Sequence, residues 1–262
     1  MINPMARKPK KADKTVPQES DGMQTTGDAT PLSWVKAGYH LHTFAYRDPR
    51  SAFSSATGLP VVSPTAVLLG IASTLFNLGR ADEGQSFLRV VHCCGVAVDP
   101  PDGVIFFRAF HQLRRYYSTT KGRTERAGFT NINQGTREYG LFDGLITVFV
   151  GVPNIFVDAV KFSLRNRDHL GTHDSLCSLV GDVEDCTAPD RVIYLPPEDW
   201  QARVPPVSGV TILTLARFKS EPVGPVVGQH WWMAGGEGTE LVPYLIKGRF
   251  VGTSRGKIYR KE

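Results

Sequence analysis

Residues 34–43 alternate between two sets of side chains, which is the period of a β-strand. One set consists of Val35, Ala37, Tyr39, Leu41 and Thr43, and the other of Trp34, Lys36, Gly38, His40 and His42. The alternation predicts the first strand of the chain here.

A helix is predicted after this strand, beginning at Ser63-Pro64. Serine is a favourable N-cap, and proline suits the first helical position because its missing N–H has no intrahelical partner there. Four apolar residues then recur on one face up to Gly79: Leu68, Ile71, Leu75 and Leu78. Gly70 lies inside this helix, and a close approach to the sheet would explain a glycine at that position.

Further apolar segments alternate with polar, Pro- and Gly-containing ones. Residues 82–88 extend or follow the helix. In chain order we then predict a strand at 90–98, a turn at 99–103, a strand at 104–117, a polar loop at 118–136, a strand at 141–152 and a helix at 154–164. The order strand, helix, strand, strand, helix is expected of an α+β protein with a split βαβ, ferredoxin-like fold.

The remaining regions differ in composition from this part. Residues 1–31 combine a basic cluster with Pro, Gln, Ser and Thr and almost no large apolar residues, which predicts a disordered tail. Residues 32–185 form the predicted main domain. Residues 186–262 are predicted to be a smaller β-rich part packed on it, with strands at 210–218, 230–233 and 244–251.

Composition restricts the class of protein. The chain has 262 residues, 41% apolar and 21% charged, as in ordinary globular proteins. It has no apolar run long enough to span a membrane and no apolar segment typical of a signal peptide. Cys93 and Cys94 are adjacent, and Cys177 and Cys186 stand far away at no zinc-ribbon spacing. We therefore expect buried free thiols, a cytoplasmic location, and neither a metal nor a cofactor.

The charge is concentrated in one segment. The net charge is +5, yet residues 108–137 contain seven basic residues and one acid, Glu125, so this segment alone carries +6. Its basic residues are interleaved with tyrosine and phenylalanine. Guanidinium groups bind phosphates bidentately and aromatic rings stack on unpaired bases, so the segment predicts an RNA-binding surface. The predicted contacts are Arg108, Arg114, Arg115, Tyr116, Tyr117, Lys121, Arg123, Arg126, Phe129 and Arg137; the alternative is a solvated charged hairpin.

Three other places carry candidate RNA contacts. Ser63 and Thr65 open the predicted helix, whose free N–H groups form an anion site. The polar loop before it contributes Arg47 and Arg50. Glycines recur at four-residue spacing at 248, 252 and 256, accompanied by Lys257 and by the candidate contacts Lys247, Arg249 and Arg255. They indicate either a glycine-rich loop that reaches RNA phosphates or a plain turn between two strands.

Catalytic and metal-binding patterns are weak. His169 and His173 are four residues apart, but Gly171 between them and the polar surroundings favour a loop over a metal-binding helix. Metal-independent RNA cleavage needs a base for the 2′-hydroxyl and a cation for the transition state. His111 with Tyr116 and Lys121 is the candidate set, and a packing or phosphate-contact role for His111 is the alternative.

Two segments resemble the Cas family five proteins of the RAMP superfamily, the subunits that cap the 5′ handle of the CRISPR RNA (crRNA) in Cascade complexes. One is Val-Val-Ser-Pro-Thr-Ala-Val-Leu-Leu-Gly at 61–70, which is similar to the family's entry into its first helix. The other is Leu-Arg-Asn-Arg-Asp-His-Leu-Gly-Thr-His-Asp-Ser at 164–175. The resemblance covers residues 32–185.

The resemblance implies an RRM-like domain with a long β-hairpin thumb, here residues 108–137. It implies a non-catalytic crRNA-binding subunit of a type I effector in a prokaryotic cytoplasm, with Cascade backbone and large subunits as partners and target DNA as an indirect one. One branch of the family cleaves pre-crRNA, so an endoribonuclease of the same fold is the alternative. A subunit of a CRISPR-guided transposition system is another.

Overall fold

The predicted first strand is the centre of a four-stranded antiparallel sheet. A computed structural model describes residues 31–50, 55–116, 129–189, 209–219, 238–253 and 256–262. Strand β1 (Ser33–Leu41) pairs with β6 (Ile146–Val152) on one side and β7 (Cys177–Cys186) on the other, and β3 (Gly95–Asp99) pairs with β6. The order is therefore β3-β6-β1-β7. One face of β1 is buried through Val35, Ala37, Tyr39 and Leu41, as its alternation predicts.

The other face of this sheet carries a tryptophan lying on glycines. Trp34 of β1 is in register with Gly151 of β6, which is in register with Gly95 of β3. A Cβ added to Gly151 would lie 2.6 Å from Cε2, 2.7 Å from Cζ2 and 2.9 Å from Cδ2 of the indole. Because three bonded ring atoms are almost equally near that point, the indole lies face-on over the Gly151 backbone.

We expect Gly151→Ala to lower the free energy of unfolding by about 2 kcal/mol, because the new methyl group overlaps the indole. Urea unfolding followed by circular dichroism measures this loss. Combining Gly151→Ala with Trp34→Ala should cost less than the sum of the two single changes, since removing the ring removes the overlap. Additive losses would contradict the contact.

Within the described ranges, three α-helices accompany the four-stranded sheet. α1 (Pro64–Asn77) begins where the sequence predicts, with the Ser63 hydroxyl accepting a hydrogen bond from the Ala66 N–H at 3.2 Å. It ends at Asn77, and two residues later Gly79 has a φ of 79°, in the left-handed region that commonly follows a helix. α2 (Ala81–Leu88) is a separate helix rather than an extension of α1. α3 (Val157–Arg165) follows a short 3₁₀ turn over residues 154–156, which confirms the helix predicted there.

The glycine inside α1 faces an arginine, not the sheet. A Cβ at Gly70 would overlap the guanidinium of Arg167, which follows α3 and is almost completely buried. The Nη2 of Arg167 donates a hydrogen bond to the Val67 carbonyl of α1 at 2.8 Å. Burial lowers the pKa of this guanidinium. The expectation of a close approach to the sheet was therefore wrong, and an arginine takes the space that the missing side chain leaves.

A second sheet is built on a long hairpin. β4 (Gly103–Tyr116) pairs with β5 (Phe129–Asp143), β11 (Gly256–Arg260) pairs with the other edge of β4, and β10 (Arg249–Thr253) pairs with β11. The two-residue strand β2 (Ser55–Ala56) pairs in parallel with β5. The order is β10-β11-β4-β5-β2.

Two predictions about this region were wrong. Residues 129–136, predicted as part of a polar loop, belong to β5, and the predicted strand 141–152 is divided between β5 and β6. The division falls at Gly144, whose φ of 84° is readily adopted by glycine. Residues 129–136 are mostly Thr, Asn and Gln, so they lack the apolar alternation by which strands are recognised in a sequence.

The C-terminal region contributes strands to two places. β8 (Val210–Phe218) and β9 (Thr239–Lys247) form a two-stranded antiparallel sheet, and β8 contacts α1 through a hydrogen bond from the Thr65 hydroxyl to the Ala216 carbonyl, 3.1 Å long. The strand predicted at 210–218 is confirmed, whereas the one at 244–251 is divided between β9 and β10. The strand predicted at 230–233 and the predicted tail lie outside the described residues. The domain boundaries at 31 and 185 stay predictions.

Candidate nucleic-acid interface

The basic segment singled out in the sequence forms most of the β4–β5 hairpin. Arg108, His111, Arg114, Arg115 and Tyr116 lie in β4, and Phe129 and Arg137 lie in β5. The backbones pair His111 with Gly135, Arg114 with Ile132, Arg115 with Asn131 and Tyr116 with Phe129. The remaining candidates of the segment, Tyr117, Lys121, Arg123 and Arg126, lie outside the described residues, as does Arg255.

A cleft of about 300 Å³ lies at the base of this hairpin and brings together two candidate arginines, Arg47 and Arg137. Its other lining residues are Ala45, Thr57, Glu138, Thr172 and Asp174. The residues come from the segment after β1, from the position after β2, from β5 and from the loop before β7. Two guanidinium groups beside a threonine hydroxyl provide the planar, bidentate donors that bind a phosphate group.

The loop that closes the cleft is fixed by hydrogen bonds to the segment after β1. The Thr172 hydroxyl donates to the Ala45 carbonyl at 3.0 Å, and the Ser175 hydroxyl accepts from the Ala45 N–H at 3.1 Å. Asp174 forms an ion pair with Arg137, with 3.1 Å between Oδ2 and Nη1. Both partners are partly exposed, so the pair contributes little stability and can exchange for a phosphate.

Glu138, which lines the cleft, is held in position by Lys257 of β11 and by the Gly58 backbone. Its carboxylate is 9% exposed and accepts hydrogen bonds from the Gly58 N–H at 2.9 Å and from the Lys257 ammonium at 2.9 Å. Arg108 is 3.4 Å from the other carboxylate oxygen. Burial raises the pKa of Glu138, but the hydrogen bonds and the charge of Lys257 outweigh it and hold the pKa below its ordinary value. The carboxylate therefore stays ionised and links β5, β4 and β11.

The two other arginine candidates near the cleft are exposed. The Arg108 side chain is 69% exposed despite its contact with Glu138. Arg50 binds Asp48 through two bonds, from Nε to Oδ1 at 3.2 Å and from Nη2 to Oδ2 at 3.0 Å. Burial raises the pKa of Asp48, whereas Arg50 lowers it by more, so the net shift is downward.

The helix start has a structural role in this conformation. Ser63 is 1% exposed and Thr65 is 4% exposed. The Ser63 hydroxyl caps α1 and lies 2.5 Å from the hydroxyl of Tyr46, while Thr65 binds β8. These contacts occupy both side chains, so they support capping and packing; an RNA contact through either hydroxyl stays a prediction.

The C-terminal glycines lie in strands and at a strand junction. Gly248 separates β9 from β10, Gly252 lies within β10, and Gly256 begins β11. Lys247 ends β9 and its carbonyl accepts a hydrogen bond from the Tyr259 hydroxyl, while Arg249 forms a 2.8 Å ion pair with Glu262. This arrangement favours the alternative of a turn between strands over a single phosphate-binding loop. RNA contacts by Lys247 and Arg249 stay predictions.

In the part of the chain that the structure describes, the histidines and cysteines give no support for a metal site. His169 Nδ1 lies 2.6 Å from the carboxylate of Asp168, and its ring centroid is 4.8 Å from that of His173. Within the described ranges, no three His, Cys, Asp or Glu side chains are grouped so that they could hold a metal ion. All four cysteines are free thiols, but Cys93 is exposed, contrary to the expectation of burial. Burial raises the pKa of Cys94 to about 12.

Sequence reasoning missed three residues of this region, Glu138, Thr172 and Asp174, and it placed Lys257 only among the basic residues beside the C-terminal glycines. Thr172 and Asp174 belong to the segment at 164–175 that carried the family resemblance, which was the available signal for them. Glu138 directly follows the basic segment. Lys257 is close to Glu138 only because β11 pairs with β4, and no local pattern indicates that pairing.

The chain was compared with known proteins. No known family model matches it. A curated protein of Archaeoglobus fulgidus named CRISPR-associated protein Cas5 is 27% identical over 148 residues, which cover 55% of this chain and 62% of the relative. The match thus spans less than two thirds of the relative's length.

Among the described residues, no helix is long and apolar enough to cross a membrane.

Solved structures of low sequence identity were also found. A CRISPR protein from Archaeoglobus fulgidus has a TM-score of 0.40 and 13% identity, with 88% of this chain and 92% of that chain covered. A chain of a CRISPR RNA-guided surveillance complex has a TM-score of 0.40 and 13% identity, with coverages of 87% and 90%. The curated match confirms the resemblance to Cas family five that the segments at 61–70 and 164–175 indicate: the chain is similar in sequence to a CRISPR-associated Cas5 protein.

Proposed function

We propose that this chain is a non-catalytic crRNA-binding subunit of a type I CRISPR effector complex, located in the prokaryotic cytoplasm. It holds the 5′ handle of the guide RNA and contacts the backbone and large subunits, and through the guide it takes part in recognition of target DNA. The observation that carries the proposal is the cleft with Arg47 and Arg137 at the base of a long basic hairpin. The Cas5 homology agrees with it.

The fold assignment belongs to the same proposal. The elements β1, α1, β3, β6, α3 and β7 follow one another as strand, helix, strand, strand, helix, strand, and the sheet order is β3-β6-β1-β7. We assign these elements to the RRM-like, ferredoxin-like domain implied by the resemblance. The β4–β5 hairpin, inserted between β3 and β6, is then the thumb, and residues 186–262 are the β-rich C-terminal part.

We expect Arg137→Gln and Arg47→Gln each to weaken binding of a repeat-derived handle RNA roughly tenfold at 100 mM salt, and to reduce the salt slope by about one unit. Each change removes one phosphate contact, and lost counterion release flattens the slope. Filter binding over a salt series measures both quantities. Asp174→Asn should bind RNA at least as tightly as the wild type, because it removes the carboxylate that competes with phosphate for Arg137.

Arg165→Gln is the matched control for these variants. This arginine is also exposed and ion-paired, to Asp182 at 2.7 Å, but it ends α3 outside the cleft lining. Its removal should leave affinity within about twofold of wild type, since a charge away from the RNA path is largely screened. Absence of RNA binding, or equal losses in all three arginine variants, would contradict the proposal.

The endoribonuclease alternative has its own test. Labelled repeat RNA is incubated with the protein without divalent metal. Uncleaved RNA is the expected result for a non-catalytic subunit. Specific cleavage that His111→Ala abolishes would replace the non-catalytic assignment.

A further inference from the structure

The sheet that contains the β4–β5 hairpin, here called the hairpin sheet, exposes apolar side chains on its outward face. The outward positions of a strand in contact with water are ordinarily polar. Along β4, Val104 and Phe106 are buried in the core. The residues between and after them, Ile105 and Phe107, are 55% and 41% exposed. An exposed apolar patch of this kind marks a binding surface more often than a random surface position does.

Strand register makes the patch continuous across four strands. Phe107 is opposite Tyr139 of β5, and the two rings have centroids 6.0 Å apart with planes 25° apart. In the next row, Ile105 is opposite Leu141 on one side and Ile258 of β11 on the other. Val251 of β10 is opposite Ile258 and extends that row to the edge of the sheet. The face therefore has an aromatic row beside an aliphatic row.

Arginines border this face at both ends. Arg137 lies two residues before Tyr139 on β5, and therefore on the same face as the aromatic row. At the other end of the patch, Arg249 and Arg260 are opposite each other on β10 and β11. Of the side chains that the described parts of these four strands place in these rows, Asp143 is the one carboxylate. A cationic border around an apolar, aromatic centre is complementary to a nucleic-acid strand whose bases are unpaired.

We propose that Phe107 and Tyr139 form a stacking platform for an unpaired base of single-stranded RNA, with the adjoining phosphate bound by Arg137. The inference rests on the proposed function and deepens it: the cleft holds the sugar-phosphate chain, and the sheet face beside it holds the base. Base–aromatic stacking tolerates any base, because each base has a π-face. The platform accordingly binds without reading sequence.

Arg137 connects the platform to the cleft. Its guanidinium lines the cleft and pairs with Asp174. It also lies close enough to Tyr139 for its charge to lower the pKa of the phenol, which burial raises. One residue thus takes part in both sites. A nucleotide whose phosphate displaces Asp174 from Arg137 would bring its base toward the Tyr139 ring.

Two aromatic substitutions test the proposal. Phe107→Ala and Tyr139→Ala should each weaken binding of the handle RNA roughly tenfold, with the salt slope unchanged because no phosphate contact is lost. Phe107→Tyr and Tyr139→Phe should bind as the wild type does, since each keeps a ring. A series of RNAs, each with one abasic nucleotide at a different position, should identify the stacked base. At that position, removing the base should weaken binding to the wild type but should not weaken binding to Tyr139→Ala any further.

Aliphatic neighbours supply the matched control. Ile105→Ala and Leu141→Ala remove apolar area from the same face without removing a ring, and they should change RNA affinity by less than twofold. RNA binding with its normal salt dependence, but insensitive to both aromatic changes and to abasic positions, would overturn the platform and leave the proposed function standing. Absence of RNA binding by the wild type would instead overturn the proposed function. Intact RNA binding with loss of co-purifying Cascade subunits in all four alanine variants would identify a protein-docking face and reject the platform.

Discussion

Replacing Lys257 by methionine is expected to lower the free energy of unfolding by about 3 kcal/mol, because it leaves a buried carboxylate without its cation. Lys257 donates to Glu138 at 2.9 Å and to the Gly58 carbonyl at 2.9 Å, and its ammonium lies 4.7 Å from the centre of the Phe106 ring. The methionine preserves the apolar stem but none of these donors. Urea unfolding at pH 7 measures the loss.

The same variant should show a changed pH dependence. In the wild type the pKa of Glu138 lies below its ordinary value of 4.5, so its interactions stabilise the fold above that pH and the stabilisation is lost as pH falls through the lowered pKa. In Lys257→Met, burial acts on the carboxylate without the cation and raises its pKa. The stability difference between wild type and variant should therefore narrow as pH falls from 7 toward 4.

Lys161→Met is the control for Lys257→Met. The Lys161 side chain is 19% exposed, close to the 21% of Lys257, and it also forms an ion pair, with Asp185 at 2.7 Å. Its partner carboxylate, however, is 72% exposed, so water replaces the lost cation and the cost should stay below about 1 kcal/mol. Combining Glu138→Leu with Lys257→Met should recover most of the loss, because no buried charge is then left unpaired and Arg108, which loses Glu138, is 69% exposed. Equal costs for the two lysines would contradict the assignment.

The second large effect is expected at two of the three glycines at four-residue spacing, Gly248 and Gly256. Gly248 has a φ of 115°, and a Cβ there would overlap the backbone oxygen of Arg260. A Cβ at Gly256 would overlap the backbone oxygen of Phe106 on the paired strand. We expect Gly248→Ala and Gly256→Ala each to lower the free energy of unfolding by about 3 kcal/mol, from strain at the first and loss of β11–β4 pairing at the second.

Gly252→Ala is the internal control, since no atom lies within 4 Å of the position of its Cβ. We expect stability within about 0.5 kcal/mol of wild type. Thermal unfolding of the three variants compares them directly. RNA affinity separates the two interpretations of the spacing: if the glycines cradle a phosphate, Gly252→Ala weakens RNA binding while the fold stays intact. If they serve the strands, it leaves RNA binding unchanged.

Sequence patterns predicted the helices and strands whose formation depends on a few neighbouring residues. The N-cap and apolar face of α1 and the alternation in β1 are contained in a few consecutive residues, and both elements are found where expected. The strand β5 was missed over residues 129–136, since polar residues without an apolar face give no periodic signal. The pairing of β11 with β4 depends on residues far apart in the chain, which no local pattern reports.

In the candidate site, too, single residues were predictable from the sequence, but their contacts with distant residues were not. Arg47 and Arg137 were predicted by charge, but their convergence on one cleft depends on tertiary packing. Asp174 as the partner of Arg137 follows only from the fold. The anion site predicted at Ser63 and Thr65 was argued from the helix end alone, and β8, from a distant part of the chain, covers that end through Ala216.

The position of β11 has a consequence for synthesis of the chain. β11 lies inside the hairpin sheet between β10 and β4, yet it is made long after β4, and Gly256 pairs with Phe107. On the ribosome, the hairpin therefore presents an open hydrogen-bonding edge, and the Phe106 ring lacks its contacts with Phe250 and Lys257, until β10 and β11 emerge. Open strand edges recruit other chains, and such distant pairing forms slowly. Slower translation or chaperone supply should therefore affect the yield of folded protein more than it would for a sheet assembled in chain order.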